Sequence, residues 1–185
     1  MSRLASAKVE SASGELKELY GTIQSLLGGV PEMFQAEGNS PAALSGHLGI
    51  LSALSKSSLS AKEQEAIALA VAEANRCSYC LSAHTALGQG AGMTASETCD
   101  IRFGQIKEPK YNALISFVAA VVETKGDVSD AELQAVRSAG YTDGQITEIL
   151  LTIALNYFTN IFNKVNKTKV DFPVVLPGQR VAVKA

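Results

Sequence analysis

Four Ser/Thr-x-x-Glu/Gln boxes punctuate the chain, at Ser60…Glu63, Thr94…Glu97, Ser129…Glu132 and Thr142…Gln145. In such a box the hydroxyl accepts one free N–H at a helix start, and the Glu or Gln accepts another. Ser40-Pro41 marks a fifth start, because proline suits the first helical position. Gly28-Gly29, Gly88, Gly92, Gly126 and Gly140 supply matching stops. These signals predict helices over Gly14–Leu27, Pro31–Ala36, Pro41–Lys56, Ala61–Ala74, Cys77–Gly88, Ala95–Phe103, Lys110–Lys125, Asp130–Ser138 and Asp143–Asn163. No segment alternates with period two for long enough to argue a sheet. The fold class is all-α. The chain of 185 residues reads as one domain over 1–185, with a core at about 15–170 and an extended tail at 171–185 set by Pro173 and Pro177.

Apolar residues make up 46 % of the chain and charged residues 18 %, which describes a packed globular protein. A net charge of −2 argues against nucleic acid or an anionic membrane as partner, since both require concentrated cations. The most apolar runs, Ala113–Val122 and Ile149–Phe162, are too short to span a bilayer, and the second carries Asn156 and Asn160. The first ten residues hold scattered charges and no apolar stretch, so no export leader is expected. With three cysteines and no leader, the expectation is a cytoplasmic, reducing setting, where Cys-x-x-Cys is redox-active or metal-binding.

The chemistry concentrates at Cys77-Ser78-Tyr79-Cys80 with His84 beyond it. At roughly 100° per residue, positions 77, 80 and 84 fall within an arc of about 60°, so both sulfurs and the ring are expected to line one pocket. A cysteine must be a thiolate to attack, and Arg76, the helix N-terminus and His84 each favour that form. A carboxylate to orient the imidazole would complete the set. Glu65 and Glu73 are the two candidates. Glu73, beside the Asn75-Arg76 turn, is expected to face solvent or to cap. Glu65, next to the apolar stripe of its helix, is placed by a helical hairpin beside Cys77–His84.

Zinc is the competing reading of Cys77, Cys80 and His84, with Cys99 or His47 as a fourth ligand. Three ligands within two turns of one helix converge poorly on a tetrahedral ion, and no metal is expected. His47, among Leu44, Leu48 and Leu51, reads as a core or interface histidine. Cys99 reads as a small buried hydrophobe. Tyr79 is expected to wall the pocket or to donate a hydrogen bond there. Asn156 and Asn160 are expected to bond across helices or subunits.

The pattern Glu65, eleven residues, then Cys77-x-x-Cys80-x-x-x-His84 resembles the signature of the carboxymuconolactone decarboxylase-like superfamily, and within it the alkylhydroperoxidase D-like branch. The segments Leu26–Phe34, Ser40–Leu44 and Asn156–Asn160 resemble its peroxidase-related members, so the similarity runs over about residues 15 to 173. The resemblance implies an all-helical protomer assembling into a homo-oligomer, a trimer or hexamer. It also implies a dithiol that reduces hydroperoxides and is regenerated by an external thiol or lipoyl-type donor, with no other cofactor. By position, Cys80 would be the peroxidatic thiol, Cys77 the resolving one, and Glu65 and His84 the proton relay. The better-known members carry a histidine between the cysteines, where this chain has Tyr79; a phenol does not relay protons near neutral pH. A general disulfide reductase or a redox-sensing oligomer therefore stands beside the peroxidase reading. Lactone decarboxylation stands further off, because those members generally lack the paired cysteines.

Overall fold

The computed structural model describes residues 2–180 and is helical nearly throughout. In chain order the helices are α1 (Gly14–Leu27), α2 (Glu32–Glu37), α3 (Pro41–Leu54), α4 (Ala61–Ala74), α5 (Ser78–Gly90), α6 (Ala95–Arg102), α7 (Pro109–Thr124), α8 (Asp130–Ser138) and α9 (Asp143–Asn166). All four boxes form reciprocally, opening α4, α6, α8 and α9. Ser40 caps α3 with Pro41 in its first turn. The starts fall where the caps put them; the ends differ more. Helix α9 runs three residues beyond Asn163 before Lys167 closes it in a left-handed conformation.

Helix α4 is the centre of the protein. It packs against α5, α6, α7 and α9, and Ala66, Ile67, Leu69, Val71 and Ala72 are buried. These side chains share the main core with Leu81, Leu114, Val118, Val136 and Ile149. Tyr20, Ile23, Phe34 and Leu44 form a second cluster that joins α1, α2 and α3. Met33 packs against both. Among the described residues no helix is long and apolar enough to cross a membrane.

The link between α4 and α5 places the cysteines. Cys77 N–H donates to Ala72 O at 2.9 Å and Arg76 N–H to Glu73 O at 3.0 Å, the two bonds of a Schellman closure. Arg76 occupies its left-handed position at φ 53°, where an L side chain crowds the following carbonyl. The chain thereby reverses within two residues and lays α5 back along α4. Gly88 keeps the pair close: a Cβ there would stand 3.1 Å from Met93 Sδ and 3.7 Å from Glu65 Cβ.

Past α9 the chain is not helical but is held down, as far as it is described; residues 181–185 of the expected tail lie outside the described residues. Val175 N–H donates to Ser82 Oγ at 2.9 Å. Arg102, only 6 % exposed, donates to Leu176 O and Gln179 O. Its Nε also donates to Glu73 Oε2 at 2.7 Å, while Gly178 N–H donates to Glu73 Oε1 at 2.6 Å. The expectation for Glu73 is thus corrected. The carboxylate does not face solvent or cap its helix; it neutralises a buried guanidinium and anchors the tail.

Two outcomes follow. Arg76→Gly removes the crowding at the turn and is expected to raise stability by about 1 kcal/mol in urea unfolding. The Tyr141 hydroxyl donates to buried Glu63 Oε1 at 2.8 Å. Burial, with that bond and the Glu63 charge, pushes the Tyr141 pKa well above its ordinary 10.0. Above about pH 10 the unfolded chain loses this proton while the folded one keeps it, so stability falls as pH rises. Tyr141→Phe is expected to be less stable at pH 8 and to flatten that alkaline decline in urea midpoints.

Candidate functional site

A cavity of about 260 Å³ lies between the α1–α3 cluster and the main core. Its walls are mostly apolar, from Met33, Phe34, Leu51, Ala68 and Leu155. Its polar groups include Glu65, Cys80, His84, His47, Asn156 and Asn163. Small-molecule sites typically start near roughly 300 Å³, so this one suits a single ring or a short alkyl chain.

Glu65 and His84 meet here as the hairpin requires. His84 Nδ1–H donates to Glu65 Oε2 at 2.9 Å, with side chains 21 % and 20 % exposed respectively. That bond fixes the ring and leaves Nε2 as its second functional nitrogen. Cys80, one turn before His84 on α5, is 2 % exposed and lines the cavity.

Cys77 is placed differently from expectation. It precedes the helix and is its N-cap, with φ −95° and ψ 97°, so the helical arc does not govern it. Its side chain turns back over the first turn, where Sγ accepts Cys80 N–H at 3.3 Å. Cys77 is buried and is not among the cavity-lining residues, so one sulfur faces the cavity and the other backs it. The two are joined as a disulfide, with Cα atoms 5.3 Å apart. Arg76 points outward and is exposed.

Tyr79 walls the cavity, packing edge-on against Phe172 of the tail at 5.8 Å. Its hydroxyl is buried and makes no hydrogen bond within the described residues. Burial first, then the Asp171 carboxylate, pushes the phenol pKa far above its usual value. It stays protonated throughout the neutral range. Of the residues weighed as a fourth zinc ligand, Cys99 is buried in α6 and lies off the cavity, while His47 lines it with Nδ1 bonded to Glu37. Among the described residues no three His, Cys, Asp or Glu side chains converge as a metal-binding group.

The sequence reading missed Asn163. Its Nδ2–H donates to Cys80 Sγ at 3.5 Å and to Met33 Sδ at 3.0 Å. The signal was present: Asn156, Asn160 and Asn163 recur at helical spacing in an apolar helix. Asn156 also lines the cavity, whereas Asn160 Oδ1 accepts from Asn75 Nδ2 at 3.1 Å, joining α9 to the end of α4. Phe172 was missed as well, because an extended tail gives no periodicity to say where it lands.

Residues 41–106, from α3 to just past α6, match the carboxymuconolactone decarboxylase family. The protein is thus an all-helical bundle with the alkylhydroperoxidase D core fold, in which one segment is similar to that family. Among solved structures it resembles an uncharacterized peroxidase-related protein from Ralstonia eutropha JMP134, described as an alkylhydroperoxidase AhpD core. The TM-score is 0.83 and the identity 22 %, over 92 % of both chains. A peroxidase-related protein from Silicibacter sp. TM1040 aligns with TM-score 0.78 and 22 % identity over 91 % of this chain and 94 % of that one. A cysteine-to-alanine variant of the debrominase Bmp8 in complex with 2,3,4-tribromopyrrole aligns with TM-score 0.80 and 16 % identity, over 92 % and 94 %. At these identities the likeness is one of fold. No curated protein sequence matches the chain.

Asn163 gives a direct readout. In the reduced protein, Asn163→Leu is expected to slow iodoacetamide alkylation of Cys80 at neutral pH about tenfold, the worth of one hydrogen bond to a charged group. Site-resolved mass spectrometry checks it; an unchanged rate would remove Asn163 from the thiol's surroundings.

Proposed function

We propose that the protein is a thiol oxidoreductase that reduces small hydroperoxides through the Cys77/Cys80 pair. The observation that carries this reading is Cys80 facing an apolar cavity, with a carboxylate-held imidazole one turn away and a second cysteine within disulfide reach behind it. Glu65 orients His84, whose free nitrogen takes the Cys80 proton. The Cys80 thiolate attacks the terminal peroxide oxygen, the O–O bond breaks, and the departing alkoxide is protonated to alcohol. Cys80 is now a sulfenic acid. Cys77 condenses with it, releasing water and forming the disulfide. An external dithiol, of lipoyl type by the family resemblance, returns both thiols by exchange and leaves as its own disulfide. Tyr79 takes no proton in this scheme and serves as a wall. Leu151, Phe158, Ile161 and Val165 form an exposed apolar stripe on α9, which supports assembly into a homo-oligomer.

One equivalent of alkyl hydroperoxide added to reduced protein is expected to remove two hydrogens from the intact mass. In Cys77→Ser a sulfenate on Cys80 becomes trappable with dimedone, and Cys80→Ser does not react. Glu65→Gln is expected to lower turnover by about 10²- to 10⁴-fold. A sulfenate trapped on Cys77, or thiols untouched by peroxide, sinks the proposal.

The apolar cavity and the likeness to a debrominase favour one second reading. A dithiol can also deliver two electrons and a proton to a carbon–bromine bond, giving C–H, bromide and the same disulfide. Bromide release from 2,3,4-tribromopyrrole by the reduced protein, faster than its peroxide reaction, would select this chemistry.

A further inference from the structure

Glu37 and His47 form a second carboxylate–imidazole pair, which the dithiol cycle leaves unused. Glu37 ends α2 and His47 sits mid-α3. His47 Nδ1–H donates to Glu37 Oε2 at 2.8 Å, and the side chains are 3 % and 1 % exposed. The ring stacks on Phe34 at 5.2 Å and meets the edge of Phe158 at 5.7 Å.

Stability does not account for such a pair. Burying it costs desolvation that apolar residues of similar size would avoid. Glu37 Oε1 is buried with no hydrogen-bond partner, which adds to the cost. What distinguishes the pair is its place: His47 lines the cavity that also holds Cys80 and His84. With Nδ1 committed, Nε2 is the nitrogen left over, and no described residue bonds to it.

We propose that the Glu37–His47 pair is a recognition site for a ligand hydroxyl. The substrate it implies is a ring-sized, mostly apolar molecule with a phenol-type O–H that bonds to His47 Nε2 while its reducible group reaches Cys80. The second half of that statement rests on the dithiol reading; hydroxyl binding does not. A hydroxyl is favoured because it serves both states of the ring, donating to Nε2 when the ring is neutral and accepting from it when protonated. A carboxylate ligand would bring a second negative charge beside Glu37. An ammonium has no bond to make with Nε2 of a protonated ring, and the mostly apolar walls replace little of its hydration. Phe34 and Leu51 offer the flat apolar surface that a ring requires.

The test compares 4-methylphenol, whose hydroxyl stays protonated at neutral pH, with 4-methylanisole, in which a methyl group blocks the hydroxyl. Calorimetry on wild type and on Cys80→Ser reads binding independently of turnover, so its outcome and that of the peroxide experiment are separable. The phenol is expected to bind about tenfold tighter than the ether in both proteins. Glu37→Leu/His47→Phe, which removes the pair without stranding a charge, is expected to bind the two alike. His47→Gln, which keeps a polar partner for Glu37, provides the same comparison if the double variant does not fold. The chain has only two histidines, so the His47 ring proton is assignable by NMR and is expected to shift on addition of the phenol. Equal binding of the two probes to wild type, no binding of either, a preference that survives in the variants, or an unmoved His47 resonance overturns the proposal.

Discussion

The contact between α4 and α5 governs the arrangement of the whole site. Arg76, in its left-handed conformation, folds α5 back on α4, and Gly88 lets the helices close without an intervening side chain. Only with that reversal does a carboxylate from the second turn of α4 reach an imidazole in the second turn of α5. The same turn makes Cys77 an N-cap and Cys80 a first-turn residue. The two sulfurs therefore differ in surroundings because the backbone differs. One is tied to the helix start, and the other faces the cavity beside an amide donor. A short backbone motif thus assigns unequal positions to chemically identical side chains.

How much of this was legible follows from how local each signal is. Capping boxes act within four residues, so Ser60, Thr94, Ser129 and Thr142 marked their helix starts without tertiary help. Glu65 was legible because a short link between amphipathic helices leaves a hairpin as the compact answer. Cys77 was misplaced by one position, since an ideal helical arc takes no account of where the helix begins. Glu73 was misjudged because its partners, Arg102 and Gly178, are distant in sequence and meet it only after the core forms. His47 was recognised as buried, but its partner Glu37 and its access to the cavity depend on how α2 sits against α3. Asn163 and Phe172 belong to the same class: their roles arise from long-range packing.

The cavity's composition is also informative. Its polar groups come from α3, α4, α5 and α9, while apolar residues fill the space between them. Water in such a space finds few partners, so charges at the imidazole–carboxylate pairs interact more strongly than they would at the surface. The phenol of Tyr79, held neutral by burial and by Asp171, adds bulk to this wall without adding charge.

The anchored tail has a consequence for the order in which the protein matures. Phe172 completes the cavity from beyond α9, and Ser82, Glu73 and Arg102 hold the segment that follows. On the ribosome, both cysteines emerge long before that segment exists. The nascent chain therefore carries its dithiol without the cover the folded protein provides, and the wall that Phe172 adds beside Cys80 arrives only once that segment has been made.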